Sequence, residues 1–204
     1  MTIRLHHGDL PDDYRPGDSV AIDTETLGLN PHRDRLCLVQ LSRGDGDADL
    51  VQIAQGQTDA PNLVRMLADP AVTKIFHFAR FDLAILQKTF GRRAGPVYCT
   101  KVASRLTRTY TDRHGLKDLT RDLLGVELSK QQQTSDWGAE KLSDPQLAYA
   151  ASDVLYLHAL REKLDGLLAR EGRAAIAKAC FEFLPTRAEL DLLGWPDADI
   201  FAHS

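Results

Sequence analysis

Asp23 and Glu25 close an apolar run, Val20-Ala21-Ile22-Asp23-Thr24-Glu25, and so bring two carboxylates to the end of what reads as a buried strand. Side chains alternate along a strand, which puts Ala21, Asp23 and Glu25 on one face and Val20, Ile22 and Thr24 on the other. Desolvation and mutual repulsion both oppose ionising two neighbouring buried acids, and a divalent cation between them removes that cost. The alternative use of Asp23 is to cap the turn over residues 24–30.

Two further acids interrupt apolar stripes. Phe78, Asp82, Ile85 and Leu86 recur at helical spacing, as do Tyr149, Asp153, Tyr156 and Leu160, so Asp82 and Asp153 stand where core residues are expected. Either acid alone could be a partly exposed helix residue; four acids at such positions favour a shared site. Tyr149 lies one turn before Asp153 and aims a phenol at the same place.

The elements that must position these groups follow from hydrophobic period and turn signals. After a polar lead-in, strands are expected up to residue 25 and over 36–41 and 50–53, joined by short connections as an antiparallel meander. A helix over 62–67, a strand over 74–77, a helix over 79–90 and a strand over 97–99 come next. Helices are expected over 101–108, 116–124, 145–169 and 173–183, the long one opened by Ser143-Asp144-Pro145 as cap and first-turn proline. This order describes an α/β layered domain with a mixed sheet. Residues 1–170 read as the domain that carries the acids, and 171–204 as a terminal helix and tail packed on that domain or at a subunit interface.

The 204 residues, 43% hydrophobic and 26% charged, suit one domain with a sizeable core. No signal-peptide pattern or membrane-length apolar segment is present, so a cytoplasmic location is expected. Cys37, Cys99 and Cys180 are odd in number and lack a Cys-x-x-Cys pair, which argues against both a disulfide framework and a zinc site; they read as small buried apolar residues. A net charge of −4 is not the global signature of a protein that grips long nucleic acid electrostatically. One local stretch is basic, with Lys101, Arg105, Arg108, Arg113, Lys117 and Arg121, and it suits a solvated helix surface as well as a phosphate contact.

Asp23-Thr24-Glu25, His77-Phe78-Ala79-Arg80-Phe81-Asp82 and Tyr149-Ala150-Ala151-Ser152-Asp153 resemble, in order and spacing, the three motifs of the DEDD 3′–5′ exonucleases, in the branch with tyrosine in the third motif. The histidine branch would need its histidine where Ala148 stands. Lys130, Gln133, Ser135, Trp137, Leu142, Ser143 and Gln146 extend the likeness to the ribonuclease D block. His77, where polymerase proofreading domains usually carry asparagine, favours an RNA-directed relative. The chain is too short for the helical modules of full-length ribonuclease D, and among short relatives it is most similar to the nanoribonuclease C family, compact enzymes that degrade very short RNAs including dinucleotides.

The resemblance implies a ribonuclease H-like mixed sheet and hydrolysis of phosphodiester bonds with two divalent cations, Mg2+ or Mn2+, about 4 Å apart. It places the cations on Asp23, Glu25, Asp82 and Asp153, and it makes Tyr149 the group that orients the attacking water. It further implies that Thr24, Thr26 and Leu29 hold the terminal nucleotide and that His77 and Phe81 contact the penultimate one, with 5′-mononucleotides as product. It implies nucleic acid as partner, and a homo-oligomer, since relatives form rings of eight. Two rival readings stay open: a DNA-directed exonuclease of the same chemistry, and a non-catalytic scaffold of the same fold.

Overall fold

The computed structural model describes residues 1–129, 131–132 and 134–203; Lys130 and Gln133, quoted above for the ribonuclease D block, lie outside the described residues. Among the described residues the strands are β1 (Ile3–His7), β2 (Ser19–Thr26), β3 (Leu36–Ser42), β4 (Ala48–Gln52), β5 (Thr73–Phe76) and β6 (Val97–Cys99). They form one sheet in the order β1-β4-β3-β2-β5-β6. β2, β3 and β4 are the antiparallel meander, while β1 runs parallel to β4, and β5 and β6 continue parallel on the β2 side. This is the ribonuclease H-like α/β sheet that the resemblance implies.

β2 sits inside the sheet because Val20, Ala21 and Ile22 are apolar on both faces, and all three are fully buried. At its end the pairing slips: Glu25 faces Leu38, but Thr26 faces Leu36. Cys37 is thereby the extra residue of a bulge, a device that bends a strand end and redirects its side chains.

The helices are α1 (Pro61–Ala68), α2 (Ala79–Phe90), α3 (Thr100–Thr107), α4 (Leu116–Leu119), α5 (Asp144–Leu155), α6 (Leu157–Arg170) and α7 (Ala174–Leu193). Four differ from expectation. The helix expected over 116–124 is an α-turn that widens into a π-helical segment, Thr120–Leu124, ended by Gly125 in the left-handed region. The helix expected over 145–169 is two, because Tyr156 leaves helical geometry (φ −102°, ψ −3°) and its N–H turns back to Val154. The terminal helix runs on through Pro185 to Leu193. Its buried Ala177, Phe181, Leu184, Ala188 and Asp191 form one stripe, and it packs chiefly on α2. The polar lead-in holds the edge strand β1, whose Arg4 and His6 pair with Asp47 and Asp49.

α5 begins where Ser143 and Gln146 cap each other reciprocally, and the Gln146 Nε2 donates to the Asp136 carbonyl at 3.1 Å. That bond ties the segment carrying Trp137 to the helix carrying Tyr149 and Asp153. Trp137 also belongs to a small second core with Cys37, Leu38, Leu50, Leu142 and Ala150. Cys37 and Cys99 are buried as expected; Cys180 is only half-buried, because it sits off the packed stripe of α7. Among the described residues no helix is long and apolar enough to cross a membrane.

Candidate active site

The end of β2, opposite the β3 bulge, and the middle of α5 meet. One ligand oxygen from each of Asp23, Glu25 and Asp153 can be chosen so that all lie within 4.8 Å of one another. Asp82 on α2 stands beside this group without being one of the three: it is 3% exposed, and its Oδ1 accepts a 2.6 Å hydrogen bond from Thr24 Oγ1. Thr24 leaves β2 on the face opposite Asp23, so the end of one strand holds acids drawn from both layers of helices.

Burial first, then the charges of Asp82, Asp153 and Glu25, push the Asp23 carboxyl well above the ordinary range. Burial and the charges of Asp153 and Asp82 bring Glu25 up to about 8. Asp82 and Asp153 are also raised, chiefly by burial, against which the Thr24 hydroxyl and the Tyr149 phenol respectively act. Four acids that resist ionisation beside one another are a site built for positive charge. The donor set is hard oxygen throughout, which fits Mg2+ or Mn2+.

Tyr149 stands one turn from Asp153 and packs its ring against Trp137, with centroids 6.1 Å apart. Burial, with Asp153, Glu25 and Asp23 close by, raises its phenol further, so it is a neutral hydroxyl at any ordinary pH. Asp23 does not cap the turn after β2; Asp34 does, accepting the Asn30 N–H at 2.9 Å, and Arg33 with that N–H lowers its carboxyl to about 2. Gly28 is required there, since a Cβ at that position would lie 2.3 Å from Asp34 Oδ2.

Two connected lobes surround the acids. One, of 590 Å³, is lined by Thr24, Thr26, Leu29, His77, Phe78 and Phe81 together with Ser135 and Trp137. The other, of 250 Å³, is lined by Asp23, His77, Tyr149 and Asp153 and by Gly115, Leu116 and Lys117. Every residue that the resemblance implied as a metal ligand, water-orienting group or nucleotide contact therefore lines the cleft, though not in one manner. Leu29 is 85% exposed at the rim, whereas Thr24 is buried behind the acids. His77 meets Thr100 Oγ1 at 2.9 Å, and burial and the nearby Lys101 lower its ring to about 3, leaving it neutral. Phe78, which precedes α2, is held in the left-handed region (φ 69°) with the Lys101 ammonium 4.3 Å from its ring centre.

Lys117, Phe78, Ser135 and Trp137 are wall residues that the sequence reading did not place in the site. The signal for Lys117 was its place in the basic stretch over 101–121; among the described residues lining the two lobes it is the one cationic side chain.

A model of the 3′–5′ exonuclease family matches residues 9–169, and the chain belongs to that family, in its ribonuclease D-like branch. The ribonuclease D of Acidiphilium cryptum is 38% identical over 154 residues, 76% of this chain and 39% of the relative, so this chain spans well under half the length of that protein. Solved structures of Brucella melitensis NrnC match over the whole of both chains at 64% identity: with bound Mg2+ the TM-score is 0.95, and bound to pGG it is 0.96.

Proposed function

We propose that the chain is a cytoplasmic 3′–5′ exoribonuclease that releases 5′-mononucleotides and favours short oligoribonucleotides, including dinucleotides. The observation that carries this reading is the convergence of Asp23, Glu25 and Asp153 within 4.8 Å, with Asp82 bonded in behind them, at the junction of two lobes. The Mg2+ and pGG held by the Brucella protein support it, and so does the small size of the lobe beyond the acids.

Asp23, Glu25, Asp82 and Asp153 hold two divalent cations, Mg2+ or Mn2+. Those cations supply Lewis acidity and neutralise the charge that gathers on the phosphate. Thr26 and Leu29 hold the 3′-terminal nucleotide, Leu29 as a wedge against its base. His77, being neutral, acts as a hydrogen-bond partner to the upstream nucleotide, and Phe81 offers it an apolar face. Tyr149 fixes the attacking water through its hydroxyl and does not take its proton, because burial holds the phenol protonated. The new P–O bond forms as the bond from phosphorus to the upstream 3′ oxygen breaks; the water gives its proton to solvent in the open cleft and the leaving 3′ oxygen takes one from solvent, leaving a 5′-mononucleotide and an RNA shortened by one with a free 3′ hydroxyl.

The copies assemble as a homo-oligomer, a ring of eight. Ile176, Leu193, Trp195, Ile200 and Phe201 are exposed on α7 and the tail after it, more apolar surface than a free terminus ordinarily shows. Light scattering that gives a monomer at micromolar concentration overturns the assembly. The function is tested by digesting end-labelled RNA and DNA ladders of graded length, with Mg2+ or Mn2+ and with chelator. Metal-dependent release of mononucleotides from the 3′ end, fastest on the shortest RNAs, is the expected result. Equal turnover of short and long RNA removes the length preference, and preference for DNA removes the RNA assignment.

A further inference from the structure

The family model ends at residue 169, and α7 lies wholly beyond it. An apolar stripe, Ala177, Phe181, Leu184 and Ala188, docks this helix, and its last turn adds an acid to the same stripe. Asp191 is 7% exposed. Arg80 of α2 donates Nε to Asp191 Oδ2 at 2.5 Å and Nη2 to Oδ1 at 2.7 Å, a two-pronged contact that fixes the plane of the guanidinium. Arg187, one turn earlier on α7, donates Nη2 to Oδ1 at 2.5 Å. The same two guanidiniums hold the chain after the helix, Arg80 by the Pro196 carbonyl and Arg187 by those of Trp195 and Ala198.

The Asp191 main chain makes a separate contact. His32 lies three residues after Leu29, and its Nε2 donates to the Asp191 carbonyl at 3.2 Å. From α2 the Lys88 ammonium donates to the His32 carbonyl at 2.9 Å. The turn after β2 is thus pinned to two helices at one residue. Leu29 and His32 of that turn, Arg80 and Phe81 of α2, and Asp191 and Pro196 together line a pocket of 480 Å³. Leu29 and Phe81 also line the larger lobe beside the acids, so pocket and cleft share a rim.

The apolar stripe holds α7 on α2 without these bonds; what they add is direction. Leu29, 85% exposed, has too little packing of its own to set its distance from Phe81, and a side chain that meets substrate needs a supporting shell to hold it. We propose that Asp191 is a positioning residue for this rim: its carboxylate holds Arg80, its carbonyl holds His32, and the terminal helix thereby sets the gap between Leu29 and Phe81. The inference rests on reading Leu29 as the wedge against the 3′-terminal base. Asp191 acts through Leu29 and not on the substrate.

The test releases one side of the rim at a time. H32A removes the link to the turn at a surface residue, and R80M removes the link to α2 while leaving Asp191 paired with Arg187, so both variants should fold. Each should raise KM for a diribonucleotide about tenfold with kcat little changed, as when binding common to ground and transition states is weakened. H32Q, which keeps a donor, should recover part of the KM. H32A should add nothing in an L29A background, and nothing on a diribonucleotide whose 3′-terminal residue lacks its base; a general loosening of the fold would spare neither. Hydrogen exchange over residues 28–34 should quicken in both variants. A folded H32A or R80M with unchanged KM overturns the proposal, as does an equal rise in the L29A background or on the substrate without the base. So does a rise seen only where light scattering shows changed assembly, since the tail would then act through contacts between copies. If the wild-type protein cleaves no RNA, the proposed function falls, and exchange over residues 28–34 alone supports or overturns the role of Asp191.

Discussion

The Thr24 hydroxyl donates to Asp82 across 58 positions of sequence, at 2.6 Å and out of reach of solvent. It ties the strand that supplies two of the acids to the helix that supplies a third. T24V keeps the volume and the β-branching and removes only the donor. We expect the variant to fold and its activity to fall about 10- to 100-fold, the usual loss when a group that orients a metal ligand is removed. Steady-state kinetics across a Mg2+ titration checks this, and unchanged activity at low Mg2+ would show the bond to be incidental.

The acids predict how the protein answers pH. Their folded-state pKa values lie above the ordinary carboxylate values, with Glu25 at about 8, so the fold binds more protons than the unfolded chain between about pH 4 and 8. This contribution to stability is present below the ordinary values and is lost as pH rises through the folded ones. In chelator, Tm should therefore fall from pH 5 to 8, and Mg2+ should offset the fall increasingly towards pH 8, where binding releases fewer protons. D23N should raise Tm in chelator at pH 8 while abolishing cleavage. A D23N protein that is less stable under those conditions would show Asp23 to be a structural acid.

The role proposed for Tyr149 is to orient the attacking water and not to ligate a cation. Y149F should lower kcat by about 10²-fold, the scale of a misplaced reacting group, and leave Mg2+ affinity as it was. Calorimetry that finds affinity lost along with rate would make the phenol part of the metal site.

Leu29 carries its side chain into solvent at the cleft rim, so nothing in the fold depends on it. L29A should leave Tm unchanged and raise KM for short RNA, and a 3′-phosphate on the substrate should stop cleavage. Products from a circular RNA would show that the enzyme does not need an end.

The site was legible in the sequence to the extent that it broke local patterns. Asp23 and Glu25 interrupt an apolar strand, and Asp82 and Asp153 occupy apolar stripes of their helices, so each was visible from its neighbours alone. What stayed hidden depends on partners far along the chain. The alternation of β1 is short and half charged, and it becomes a strand because Asp47 and Asp49 answer Arg4 and His6. No glycine or proline marks the break at Tyr156. Pro185 reads as a stop, yet α7 continues because its stripe packs on α2 and Asp191 near its end holds Arg80 at 2.5 Å. The burial of Arg108 was masked by its basic neighbours, which made it look like one more surface charge.

Gly28 bears on how this chain would be compared with others. Beside a catalytic motif, an unvarying glycine invites a reading as a substrate contact. Its cause here is mechanical, because even one methyl group would push aside the Asp34 carboxylate and release the turn that presents Leu29. A relative able to carry alanine at that position should also have lost the acid at position 34. The two sites would then vary together across an alignment although neither need touch RNA.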